Sequence, residues 1–311
     1  MNLQKIPLVP LNFSWFTCRQ RGTLLWPLGN GSASRGADNA VFYHNDNHEG
    51  VPVSVLRIAL FLCFGVMVVL VSIAPSVAQK QLVRSEVPAP TYANLVYAEG
   101  QRCRMDLWKA ESDAPTPLLI FFHGGGFKAG DKSRIHRHIQ VNDYLAKGVS
   151  CASVNYPFLD KTGKNYLGIL NVCEQAVDFV AENAEDWNVD PDKIASSGVS
   201  AGALITEWLG CHTKHLSALG VISQPMGTDK MVLPFVHKDV PPLFVHQPNG
   251  LGDRVHHPDN AALIKKAYDH VGVDCTVWGT GSNGLDPRPE GRRHQDLMMA
   301  FFFEAWNKPI D

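Results

Sequence analysis

Ile194-Ala195-Ser196-Ser197-Gly198-Val199-Ser200-Ala201-Gly202-Ala203-Leu204-Ile205 is the stretch on which the fold turns. A short run of small and apolar residues, a G-x-S-x-G pentapeptide and the start of a helical pattern follow one another without a spacer. Glycines on both sides of the serine suit a strand-to-helix turn too tight for side chains, which holds the serine hydroxyl exposed in a strained conformation. Ser200 is therefore the candidate nucleophile. Three fixed positions in five recur by chance, so the surrounding chain has to carry the argument.

Working outward, short apolar runs alternate with helical patterns. Extended segments are predicted at Cys103 to Trp108, Leu118 to Phe122, Val149 to Val154, Ala218 to Ser223, Leu243 to His246 and Cys275 to Gly279. Leu118-Leu119-Ile120-Phe121-Phe122 is apolar throughout, as in a strand buried on both faces. Ile169, Cys173, Ala176 and Val180 recur at helical spacing within a helix expected from about Tyr166 to Trp187, and Asp190-Pro191-Asp192 reads as a turn. Strands alternating with helices imply a mostly parallel sheet covered on both faces, with its ligand site beyond the carboxyl ends of the strands.

One such end carries a second signal. His123-Gly124-Gly125-Gly126-Phe127 follows the apolar strand directly. Successive glycines let the backbone approach a ligand and aim N–H groups at it. Donors fixed in this way stabilise the oxyanion that forms when an ester carbonyl is attacked. Gly125, Gly126 and Ala201 are the expected donors, and His123 is expected to brace the loop rather than to react.

With these motifs in place, the sequence from about Tyr97 to Trp306 resembles the α/β-hydrolase superfamily. Within it the similarity is to H-G-G-G esterases and lipases of the hormone-sensitive-lipase type and to compact carbohydrate esterases. Met105-Asp106-Leu107-Trp108, Gly130-Asp131-Lys132 and Asp190-Pro191-Asp192-Lys193-Ile194 support it. The resemblance implies a three-layer α/β-hydrolase fold with little or no lid, a serine carboxylesterase acting on short-chain or carbohydrate acyl esters, and no cofactor or metal. It also implies the chain order serine, acid, histidine. On that order Asp253, in Gly250-Leu251-Gly252-Asp253, is the expected acid, with Asp259 as the alternative. His294, ahead of a helical pattern from about Gln295 to Trp306, is the expected base. Surface or helix-end roles are expected for the remaining histidines, of which His256 and His257 could line the pocket, and Arg288, Arg292 and Arg293 form either a solvated basic loop or a rim to the site. One departure is visible: Gln247-Pro248-Asn249 separates the strand from the glycine, where relatives turn sooner. A peptidase or acyltransferase on the same scaffold, and a binding protein that lost the chemistry, are the competing readings.

Composition agrees with a globular enzyme. Hydrophobic residues make up 45% and charged residues 19% of 311 residues, and the net charge is −2. No basic stripe interleaved with aromatic residues marks a nucleic-acid binder. Ahead of the catalytic region, Ile58 to Ala74 is apolar and uncharged, follows Arg57 and precedes small residues up to Ala78. That pattern fits a signal peptide over 56–78, or a membrane anchor, with residues 1–55 an extension or a start assigned too far upstream and 79–311 the catalytic domain. Both readings export the catalytic part, and only the anchor makes the membrane a partner. Cys103, Cys151, Cys173, Cys211 and Cys275 lie in that part and have no C-x-x-C spacing. Burial as small hydrophobes is expected for Cys151 and Cys173, and one disulfide in an exported domain is compatible with the count.

Overall fold

The computed structural model describes residues 87–159 and 165–307. The extension, the apolar segment and its cleavage site lie outside these residues. No helix among the described residues is long and apolar enough to cross a membrane.

Strands β1 (Tyr92–Val96), β2 (Arg104–Trp108) and β3 (Thr116–Phe122) precede a 3-10 turn at Lys132–Arg137 and the short helix α1 (Val141–Leu145). Then come β4 (Ser150–Asn155), α2 (Tyr166–Glu182), β5 (Val189–Val199) and α3 (Ala201–His212). After β6 (Ala218–Ile222) the chain forms α4 (Thr228–Met231), β7 (Leu243–His246), α5 (Pro258–Val271), β8 (Cys275–Trp278) and α6 (His294–Asn307). The eight strands make one sheet in the order β1-β2-β4-β3-β5-β6-β7-β8. The β1–β2 and β2–β4 pairings are antiparallel and all others parallel, as the alternation of elements required.

Alternation along β3 explains why two cores form. Leu118, Ile120 and Phe122 enter one core with Ile169, Cys173, Ala176 and Val180 of α2. Leu119 and Phe121 enter the other, with Met298, Phe302 and Trp306 of α6. Helix α6 packs tightly against the sheet because Gly220 on β6 has no side chain; a Cβ there would lie 2.7 Å from both Met298 and Phe302.

Two expectations need correction. The Asp190-Pro191-Asp192 turn does not precede β5 but lies inside it. Asp190 Oδ1 accepts the Asp192 N–H at 3.1 Å, and the pairing with β3 jumps from Thr116↔Val189 to Leu118↔Ile194. No disulfide forms among the described residues. Cys103, Cys151, Cys173 and Cys275 are buried free thiols, and burial raises those of Cys151 and Cys173 far above the usual range.

Candidate active site

Three strand ends meet at the proposed site: β3 delivers the glycine loop, β5 delivers Ser200, and β7 leads into the acid turn. Ser200 has φ 55° and ψ −119°, a backbone state that non-glycine residues avoid, and its N–H is held by the Ile222 carbonyl at 3.0 Å. The neighbouring glycines are needed for space. A Cβ at Gly198 would lie 2.1 Å from the Gly202 carbonyl oxygen, and one at Gly202 would lie 2.0 Å from that of Phe122.

The histidine that reaches Ser200 is His256. Its Nε2 lies 2.9 Å from Ser200 Oγ, and its Nδ1 lies 3.1 Å from Asp253 Oδ2. Asp253 also accepts the N–H groups of Val255 and His256 on Oδ1, at 3.0 and 2.9 Å, and Asn249 Nδ2 on Oδ2 at 2.8 Å. Backbone donation from His256, with the side chains of His256 and Asn249, holds this carboxyl down at about 2. Nδ1 of His256 faces a carboxylate and therefore carries its proton, which leaves Nε2 free to accept from the serine hydroxyl.

The histidine beside Ser200 thus comes directly after the acid and not after the last strand, and His294 stands elsewhere. It is the first residue of α6, and its ring stacks on that of His246, centroids 4.3 Å apart. Alternation along β7 puts His246 on the same face as Phe244, which packs with α6, so His294 follows it to that side of the sheet. Burial is the main cause holding His294 at about 4, with His246 and Arg288 adding to it. No hydrogen bond joins it to Ser200 or Asp253 among the described residues. Asp259 is not in the cluster either: its N–H and carboxylate both engage His257, at the start of α5.

The glycine loop is shaped as an anion cradle. Gly125 and Gly126 have φ 129° and 61°, and a Cβ at Gly125 would lie 1.8 Å from the Ala129 carbonyl oxygen. The N–H groups of Gly125, Gly126 and Ala201 enter no backbone hydrogen bond among the described residues. His123 braces the loop from below. Its Nδ1 donates to the Gly124 carbonyl at 2.8 Å, its ring stacks on Tyr156 at 4.3 Å, and burial lowers it to about 4.

Arg102, which sequence reasoning passed over, ties this brace together. Its guanidinium donates to the Tyr156 and Gly130 carbonyls, at 2.9 and 3.1 Å, and to Asn155 Oδ1 at 3.1 Å. It also reaches His123 Nε2 at 3.3 Å and lies 3.9 Å above the Phe158 ring. Two of the stretches that suggested the family are joined here by an ion pair, Lys132 Nζ to Asp106 Oδ2 at 2.5 Å. Arg293 does not turn to the pocket; it pairs with Asp296 and, across to α1, with Asp143. Arg288 and Arg292 are exposed.

Sequence reasoning passed over His256 because it looked for the histidine after the last strand, although Ser200, Asp253 and His256 keep the order serine, acid, histidine. The available signal was the Asp253-x-x-His256 spacing, since three residues around a tight turn bring an imidazole back to its own carboxylate.

Comparison with known proteins agrees with this architecture. The BD-FAE family model matches residues 105–228. Gut esterase 1 of Caenorhabditis elegans is 30% identical over 112 residues, which is 33% of this chain and 20% of that protein, so this chain matches only about a fifth of that relative's length. A truncated carbohydrate esterase from gut microbiota superposes with a TM-score of 0.58 at 17% identity, covering 71% of this chain and 100% of that one. Thermogutta terrifontis esterase 2, solved phosphoramylated by tabun, gives 0.56 at 16% identity over 71% and 97% of the two chains. Sheet order, serine turn and glycine loop, taken with these likenesses, show that the chain has the α/β-hydrolase fold.

Proposed function

We propose that this protein is a serine carboxylic-ester hydrolase acting on short acyl esters of carbohydrates or other polar alcohols. The observation that carries the reading is the relay from Ser200 Oγ through His256 to Asp253, at 2.9 and 3.1 Å, together with the Gly125 and Gly126 N–H groups, which enter no backbone hydrogen bond among the described residues. The likeness to named esterases supports the ester class. Access supports the short acyl group: between β6 and β7 the chain forms only α4 and one 3-10 turn, and the described residues include no long helix between these strands that could serve as a lid.

In the reaction His256 Nε2 takes the Ser200 proton as Oγ attacks the ester carbonyl. The tetrahedral oxyanion is received by the N–H groups of Gly125, Gly126 and Ala201. Asp253 stabilises the imidazolium, which then gives its proton to the departing alcohol oxygen. Water, deprotonated by the same Nε2, attacks the acyl-serine; collapse returns the proton to Oγ and releases the acid. Export belongs to the same proposal and rests on the signal-like segment Ile58 to Ala74; N-terminal sequencing of secreted protein that begins near Gln79 is the expected result.

The test uses nitrophenyl acetate and acetylated xylan with three variants. Ser200→Ala and His256→Ala are expected to lose at least about a thousandfold in kcat while staying folded. His294→Ala is expected to keep kcat within about threefold. The opposite pattern, with His294→Ala dead and His256→Ala active, would return the base to the position after the last strand.

A further inference from the structure

The extension Gln247-Pro248-Asn249 takes part in no bond-making step, yet both of its polar side chains hold the acid turn. Gln247 is fully buried. Its Oε1 accepts the Gln224 N–H at 2.6 Å, and its Nε2 donates to the His256 carbonyl, also at 2.6 Å. One carboxamide thus spans from the end of β6 to the base. Gln224 is itself fixed, because its Nε2 donates to Glu207 Oε2 at 2.6 Å and to Thr228 Oγ1 at 2.9 Å. Asn249 secures the acid through Asp253 Oδ2.

The third support comes from the connection between β8 and α6. Asn283 is 3% exposed, and its Nδ2 donates to the Gln247 and Asn249 carbonyls at 2.8 and 3.0 Å. Its Oδ1 accepts the N–H groups of Thr280 and Leu285 at 3.1 and 3.3 Å. Space for it exists because residue 279 is glycine; a Cβ there would lie 2.5 Å from Asn283 Oδ1.

These positions require primary amides. Gln247 must accept from an N–H at one end and donate to a C=O at the other, and Asn283 must donate to two carbonyls while accepting from two N–H groups. A carboxylate of the same shape fails on the donor side, and an apolar side chain fails on both. The demand is severe because acid and base share one short turn, so any displacement of that turn moves both away from Ser200 together. A misplacement of about 1 Å costs a reaction about a hundredfold.

We infer that Gln247 and Asn283 are positioning residues that hold the Asp253–His256 turn at reacting distance from Ser200, so that the β8–α6 connection supplies the brace of the site rather than its base. The inference rests on His256 being the base, and its test keeps the two apart. Gln247→Glu and Asn283→Asp are made in the full chain beside His256→Ala, and kcat, KM, Tm and the pH dependence of kcat/KM are measured with nitrophenyl acetate. In both brace variants kcat is expected to fall about 10- to 100-fold with KM within about threefold. In Gln247→Glu the loss of kcat is also expected to deepen as pH rises, because a carboxyl buried there keeps a proton to donate only while it is neutral. Where an acid variant does not fold, Gln247→Met or Asn283→Ser is judged by the same criterion. Folded brace variants within about twofold of wild-type kcat, beside an inactive His256→Ala, overturn the brace alone. An active His256→Ala overturns the reading of the triad on which it rests.

Discussion

Gly202 stands two residues after Ser200 and Gly252 directly before Asp253, and in sequence each belongs to a glycine-bearing turn. In the structure a Cβ at Gly202 would run into the Phe122 carbonyl, whereas one at Gly252 meets nothing within 4 Å. Overpacking against backbone costs about 3 kcal/mol, which in a domain of this size lowers Tm by about 6–12 °C. Gly202→Ala is expected to show that loss in a thermal melt, and Gly252→Ala to stay within about 0.5 kcal/mol of wild type. Equal Tm values would mean that α3 can slide away from β3. At this scale the letters singled out Ser200, Asp253 and the glycine loop, because each sits in a local pattern with a mechanical reason, and the structure joins Ser200 to Asp253 through His256. His256 lay three residues from a residue already chosen, and the preference for a later histidine concealed it. Gln224, Gln247 and Asn283 had no local signature, since their shared purpose appears only when three connections are brought together.

At the scale of elements, strands with two buried faces were legible and those with exposed faces were not. β3, β6 and β7 matched their apolar runs closely. β1 went unseen because it is an edge strand exposed along most of its length, with no apolar alternation to mark it. Helix α3 is buried along nearly its whole length and carries Glu207 into the core, where one carboxyl oxygen has no partner. Burial raises Glu207 to about 8. A carboxyl raised in the folded state favours folding most fully below its unfolded value of 4.5, and that contribution is lost as pH rises toward 8. Glu207→Gln keeps the shape and cannot ionise. Its Tm is expected to exceed that of wild type by about 2–4 °C or more at pH 9, with a smaller difference at pH 5. A constant difference across that range would mean that Glu207 is not the group responsible.

Among the described residues burial lowers five histidines, and the three shifted furthest dominate the response to acid. His123, His246 and His294 are each held at about 4, chiefly by burial, against an ordinary 6.5. Their neutral forms favour the fold above pH 6.5, and that contribution disappears as pH falls from 6.5 to 4. Three groups outweigh the opposite trend of Glu207 in this interval, so Tm at pH 5 is expected to lie at least about 5 °C below that at pH 7. His246, whose Nδ1 is buried without a partner, offers a direct check. His246→Phe is expected to flatten the acid slope, and an unchanged slope would assign it to other groups.

The acid turn and its brace arrive in an order that matters to a chain emerging from the ribosome. Every group proposed to react lies between Gly125 and His256, so all of them leave the exit tunnel before β8 does. Asn283 follows later, and until it docks the carbonyls of Gln247 and Asn249 lack the donor that fixes them. A nascent chain built this way carries the groups proposed to react before it carries the residue proposed to align them.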